Sequence, residues 1–137
     1  RKMSKSYGNT IPLFEPEKAL RKLIMRIKTN SLPPEAPKDP DACTLFQIYQ
    51  AFATVEETAA IRERYAQGIG WGEMKQILFE YLNARLSEPR QRYQELLQAP
   101  DHIEQILKRG AARAREYSVP FLHQLRRAVG IRPLSQR

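Results

Sequence analysis

Cysteine is almost missing from this chain: Cys43 stands alone among 137 residues. An internal disulfide is therefore excluded, and so is any zinc or iron–sulfur site built from several cysteines. A small buried residue in a reducing, cytoplasmic compartment is the ordinary setting for such a thiol. Histidine is scarce too. His102 and His123 fall on different expected helices with no cysteine cluster near either, which argues against a metal site. No apolar run approaches the roughly 20 residues that cross a bilayer, so no membrane partner is expected. No signal-peptide pattern opens the chain. Strand-like alternation and internal repeats are also lacking. Gly68-Ile69-Gly70-Trp71-Gly72 has neither a preceding strand nor the terminal Lys-Ser/Thr of a phosphate-binding P-loop. It reads as a tight connector in which Trp71 plugs a core.

What is present suits one globular domain. Hydrophobic residues make up 42% of the chain, enough for a real core. The net charge of +8 is unevenly placed. Residues 1–30 carry a balance of +6, residues 31–100 a balance of −3, and residues 101–137 a balance of +5. Two basic ends around an acidic middle point to a polyanionic partner, nucleic acid or nucleotide, that touches the ends. Solvated Lys and Arg faces on a soluble helical protein explain the same totals.

The pattern predicts an all-α bundle of about five to seven helices. Pro16 opens the first, whose stripe is Ala19, Leu20, Leu23, Ile24 and Ile27. Pro33, Pro34, Pro37 and Pro40 make 30–41 the longest loop. Leu45, Ile48, Tyr49 and Phe52 mark a second helix. Thr54 with Glu57 forms a capping box that opens a third, ending before Gly68. Met74, Ile77, Leu78, Tyr81 and Leu82 line the next, which Pro89 should break or kink, with Tyr93, Leu96 and Leu97 continuing its face. Glu73 and Glu80 on that helix read as solvated charges. Asp101 with Glu104 is placed to cap a further helix striped by Ile103, Ile106, Leu107, Gly110, Ala111 and Ala114. A last helix, near Pro120 to Val129, should bury Phe121, Leu122, Leu125 and Val129 before Gly130 stops it.

Two regions have side chains suited to polyanions. In the C-terminal part, Arg109 and Arg113 are i,i+4 neighbours bordering the apolar stripe, and Lys108 and Arg115 share the other side. Arg126, Arg127 and Arg132 follow. Arginine forks suit phosphates and unpaired bases, while pairing with acidic residues of the middle segment is the structural alternative. At the other end, Lys2-Met3-Ser4-Lys5-Ser6 precedes Tyr7-Gly8-Asn9. Ammonium groups, hydroxyls and free backbone N–H groups on a turning backbone suit a polyphosphate. By composition alone, a solvated or vector-derived basic tail is the commoner explanation of such a stretch.

Lys-Met-Ser-Lys-Ser followed by Asn9 resembles the second signature of class I aminoacyl-tRNA synthetases, a loop that binds the ATP phosphates during amino-acid activation. Later residues narrow the likeness. Tyr65, then Gly68 through Lys75, then Leu86, Pro89, Arg90, Arg92, Tyr93, Ile106-Leu107, Gly110-Ala111, Ala114-Arg115 and Val129-Gly130 resemble the bacterial tryptophanyl-tRNA synthetase family. The resemblance runs in order along essentially the whole chain. It implies residues 1–15 as the end of an ATP-binding catalytic domain and residues 16–137 as a helical C-terminal domain that reaches the tRNA anticodon. It implies Lys2 and Lys5 as catalytic cations, and Lys2, Met3, Ser4, Lys5 and Ser6 as the phosphate site, with Met3 packing the loop down and Asn9 fixing its turn. Lys108, Arg109, Arg113, Arg115, Arg126 and Arg127 become the expected tRNA contacts. ATP with Mg2+, tryptophan, tRNA and a homodimeric partner follow for the full-length enzyme. The first signature, the nucleotide-binding strands and the tryptophan pocket have no counterpart here, so the fragment itself is expected to be inactive. A non-catalytic helical RNA- or protein-binding module with a basic tail is the alternative.

Overall fold

Local chemistry sets the helix ends in the computed structural model, which describes residues 3–131. Pro16 ends the segment that leads into the first helix, and its carbonyl accepts the N–H groups of Ala19 and Leu20, both at 2.9 Å. This opens α1 (Glu17–Met25). α2 (Thr44–Gln50) follows the proline-rich loop. At α3 (Val55–Gln67), the Thr54 hydroxyl accepts from the Glu57 N–H at 3.2 Å, and the Glu57 carboxylate accepts from the Thr54 N–H at 2.8 Å. The expected capping box is formed in both directions. α4 (Trp71–Leu97) and α5 (Pro100–Ala128) complete the set. The described residues contain helices and connecting segments without strands.

Proline acts differently from expectation in the last two helices. α4 runs through Pro89, and α5 runs through both Gly110 and Pro120. Each proline removes one backbone donor. Strong helix formers such as Leu86, Arg90, Arg115 and Leu122 surround these positions and propagate the helix past the gap. The expected separate helix near Pro120 to Val129 is therefore the last third of α5. Its start also differs. Ala99 caps it with Pro100 at the first position, so Asp101 lies within the first turn and Glu104 pairs with Lys108 at 2.8 Å.

The chain divides into two compact units, one through Tyr93 and one from Gln94 onward. The first holds the core. Leu20 and Ile24 of α1, Leu45, Phe46 and Tyr49 of α2, Ile61 and Tyr65 of α3, and Met74, Leu78, Phe79 and Leu82 of α4 are buried with Cys43 and Ile69. Each such large side chain contributes about 1.5–3 kcal/mol by leaving water. Burial pushes the Tyr65 phenol well above its ordinary pKa, reinforced by its 3.2 Å contact with the Cys43 thiol. Trp71 is half-buried at the start of α4, its indole N–H donating to Asn30 Oδ1 at 3.0 Å. Glu73 is not merely solvated, since it accepts a hydrogen bond from Arg64, and Glu80 accepts from Gln76 at 2.6 Å.

In the second unit, α5 buries none of its residues. Phe121, Leu122, Leu125 and Val129, expected in a core, are 60%, 42%, 48% and 71% exposed. The stripe is apolar as its spacing indicates, but these four side chains stay exposed.

Candidate functional site

The N-terminal loop is built by its own short-range bonds. Lys5–Tyr7 form one 3₁₀ turn, closed by Tyr7 N–H to Ser4 O and Gly8 N–H to Lys5 O, both at 3.1 Å. Gly8 ends the turn at φ +60°, a left-handed conformation that costs glycine little. Asn9 Oδ1 then accepts the Ser4 N–H at 2.8 Å and ties the two ends of the loop together. The Ser4 and Ser6 hydroxyls meet at 2.8 Å. Asn9 thus holds the turn as its position in the motif suggests.

These bonds use the N–H groups of Ser4, Tyr7 and Gly8 and one hydroxyl proton, and leave other polar groups of the loop open. The Lys5 ammonium has no partner among the described residues, and Lys5, Ser6, Gly8 and Asn9 are exposed. Met3 is 43% exposed. Lys2 lies outside the described residues. A surface with one free cation, two adjacent hydroxyls and a constrained backbone suits a phosphate chain. Residues 3–9 contain no carboxylate, so the loop itself has no anionic ligand for a divalent cation.

The C-terminal basic residues form two rows. With about 3.6 residues per turn, Lys108, Arg115 and Arg126 fall along one flank of the apolar stripe on α5, and Arg109, Arg113 and Arg127 along the other. All six are exposed. Lys108 pairs with Glu104, whereas the five arginines make no ion pair among the described residues. Arg132 lies outside them. His102 and His123 are exposed on the same helix.

Other polar side chains serve the fold. The Tyr81 hydroxyl meets the Glu57 carboxylate at 2.6 Å, and with the Thr54 N–H it holds that carboxyl below the usual range. Arg62 grips Asp41 through two bonds of 2.8 and 2.9 Å, which lowers the Asp41 pKa. Lys38 is a finding that sequence reasoning missed. Only 5% exposed, its ammonium donates to the carbonyls of Pro33, Pro34 and Ala36 at 2.7, 3.1 and 2.9 Å and lies 5.3 Å from the Trp71 ring centre. It locks the proline loop from inside. Arg90 is the other. Its Nη1 donates to Asn83 Oδ1 at 2.9 Å, while Nε and Nη2 are buried without a hydrogen-bond partner among the described residues. No group of His, Cys, Asp and Glu among the described residues is arranged to hold a metal ion. No described helix is long and apolar enough to cross a membrane.

No family model matches the chain. Individual relatives do, and they are aminoacyl-tRNA synthetases. The chain is 53% identical over 136 residues to the tryptophan–tRNA ligase of Pseudomonas aeruginosa, and 52% identical over 134 residues to that of Neisseria meningitidis. The matches cover 99% and 98% of this chain but only 30% and 40% of those proteins. A crystal structure of Campylobacter jejuni tryptophanyl-tRNA synthetase complexed with ADP and tryptophan superposes with a TM-score of 0.86 at 39% identity. That match covers 94% of this chain and 41% of the other. By sequence and by fold, the chain is similar to one portion of bacterial tryptophan–tRNA ligases, and it spans about a third of the length of the curated relatives it matches.

Proposed function

We propose that the chain is the C-terminal portion of a bacterial tryptophan–tRNA ligase. In this reading residues 1–15 end the catalytic domain and residues 16–137 form the tRNA-binding helical domain. The parent joins tryptophan to its tRNA with ATP: the tryptophan carboxylate attacks the α-phosphate, pyrophosphate leaves, and the acyl group passes to the tRNA end. Negative charge grows on the phosphates in the first step, so prearranged cations and N–H donors stabilise that transition state. Lys5, with Lys2, supplies the cations. Ser4, Ser6 and the loop N–H groups supply hydrogen bonds, and Met3 packs against the loop. Mg2+ accompanies the nucleotide and is not held by this loop, which has no carboxylate. The basic rows of α5, Lys108, Arg115 and Arg126 with Arg109, Arg113 and Arg127, contact tRNA, and the helical domain reaches its anticodon. The parent works as a cytoplasmic homodimer.

The observation that carries the proposal is the in-order match to tryptophan–tRNA ligases along 99% of the chain. Its test is tryptophan-dependent pyrophosphate exchange by a full-length synthetase carrying this chain. Lys5→Ala should lower the turnover number about 100-fold or more, with the tryptophan KM nearly unchanged. An unchanged turnover number with a raised tryptophan KM would remove Lys5 from the phosphate site.

A further inference from the structure

The strap that joins the loop to α1 is held at two points. Ile11 packs against the buried core cluster. Three residues on, the Phe14 ring stacks on Tyr93 near the end of α4, with ring centres 5.0 Å apart and planes inclined by 25°. Between Asn9, which closes the loop, and Pro16, which opens α1, these are the strap's two apolar anchors, since Leu13 is 52% exposed. Tyr93 is 41% exposed and lies outside the buried core. Its ring therefore adds little to the core itself, yet it meets the one aromatic side chain of the strap. On α4 it continues the face of Leu86, which touches the core, and of Arg90.

We infer that Tyr93 is a positioning residue for the phosphate loop: its stack with Phe14 fixes the strap and thereby the place of Lys5 and the loop N–H groups. The inference rests on the proposed role of that loop. A donor displaced by about 1 Å loses much of its effect on a reacting group, and a strap released at Phe14 keeps Ile11 as its one apolar anchor among the described residues. Ring stacking needs no hydroxyl, so phenylalanine replaces Tyr93 without loss, whereas alanine does not.

Steady-state pyrophosphate exchange by the full-length synthetase tests this with Tyr93→Ala, Tyr93→Phe, Phe14→Ala, the double alanine variant and Lys5→Ala. Tyr93→Ala and Phe14→Ala should each lower kcat/KM for ATP by about threefold to tenfold, the range to which an aromatic pair's contribution converts. The tryptophan KM should stay unchanged, Tyr93→Phe should restore the rate, and the double variant should lose no more than either single one. General damage to the fold would move both substrates' constants together, and that result would overturn the inference. So would additive losses, equal losses in Tyr93→Phe and Tyr93→Ala, or a normal rate in Tyr93→Ala. If Lys5→Ala loses activity while Tyr93→Ala does not, the positioning role falls and the loop's role stands. If Lys5→Ala keeps full activity, the loop's role falls and the positioning role with it.

Discussion

Replacing Gly68 by alanine should destabilise the first unit severely. Gly68 follows α3 at φ +100°, where L side chains are strained, at a cost of about 1–3 kcal/mol. A Cβ there would lie 2.6 Å from the Glu35 carbonyl oxygen and 2.8 Å from that of Pro34. Both are backbone atoms of the proline loop, which cannot easily retreat. Lys38 grips that loop through three carbonyls, and the Lys38 N–H donates to Tyr65 O at 2.8 Å. Forcing such a contact into packed structure costs about another 1–3 kcal/mol. At about 4–8 °C per kcal/mol for a unit of this size, even the lower bounds together lower Tm by about 8–16 °C. Gly72→Ala is the internal control. It meets nothing within 4 Å and sits in the first turn of α4, so it should be neutral or stabilising by up to about 1 kcal/mol. Thermal and urea unfolding of the 137-residue chain, followed by far-UV circular dichroism, measures both. A Gly68→Ala protein that melts together with Gly72→Ala would refute the reasoning.

Further outcomes follow from the charges and the core. Glu57 has its pKa lowered in the folded state by the Tyr81 hydroxyl and the Thr54 N–H. Its contribution is therefore full above the unfolded carboxyl's pKa and is lost as pH falls through the lowered folded value; urea midpoints between neutral and acid pH should show this loss in the wild type and a flatter profile in Glu57→Gln. Replacing Lys108 with Arg115, or Arg109 with Arg113, by alanine should weaken tRNA binding and reduce the log–log salt slope by up to about two, with tryptophan activation untouched; normal charging by both double variants at moderate salt would leave the rows as solvated faces. The 137-residue chain alone should melt cooperatively and show no pyrophosphate exchange, since the proposed function puts the adenosine and tryptophan sites in another part of the synthetase; measurable exchange by the purified chain would contradict that assignment.

Features fixed by neighbouring residues were legible in the sequence. The Thr54–Glu57 box needs only two side chains three positions apart, and Asn9 bonds to Ser4 five positions before it. Burial of Cys43 followed from its solitude and small size. Features set by tertiary closure were not legible. A lysine among prolines reads as a solvated charge, and Lys38 is buried only because the loop folds over it. The apolar stripe of α5 identifies a face but not what covers it, so Phe121 and Leu125 were misplaced in a core. Pro89 reads as a break or kink and Pro120 as the start of a separate helix because the local rule counts the lost donor, whereas flanking helix formers carry α4 and α5 through these positions. The Phe14–Tyr93 stack joins segments far apart in sequence and has no local signal.

The central claim is that this chain supplies the phosphate loop and tRNA-binding helices of a tryptophan–tRNA ligase. The most direct measurement exchanges it for the matching portion of a relative about half identical to it and assays charging of tRNA with tryptophan. The account predicts a chimaera that charges tRNA, and that loses tryptophan activation about 100-fold when Lys5 is replaced by alanine. A folded chimaera that binds tryptophan but neither activates it nor charges tRNA would contradict the account.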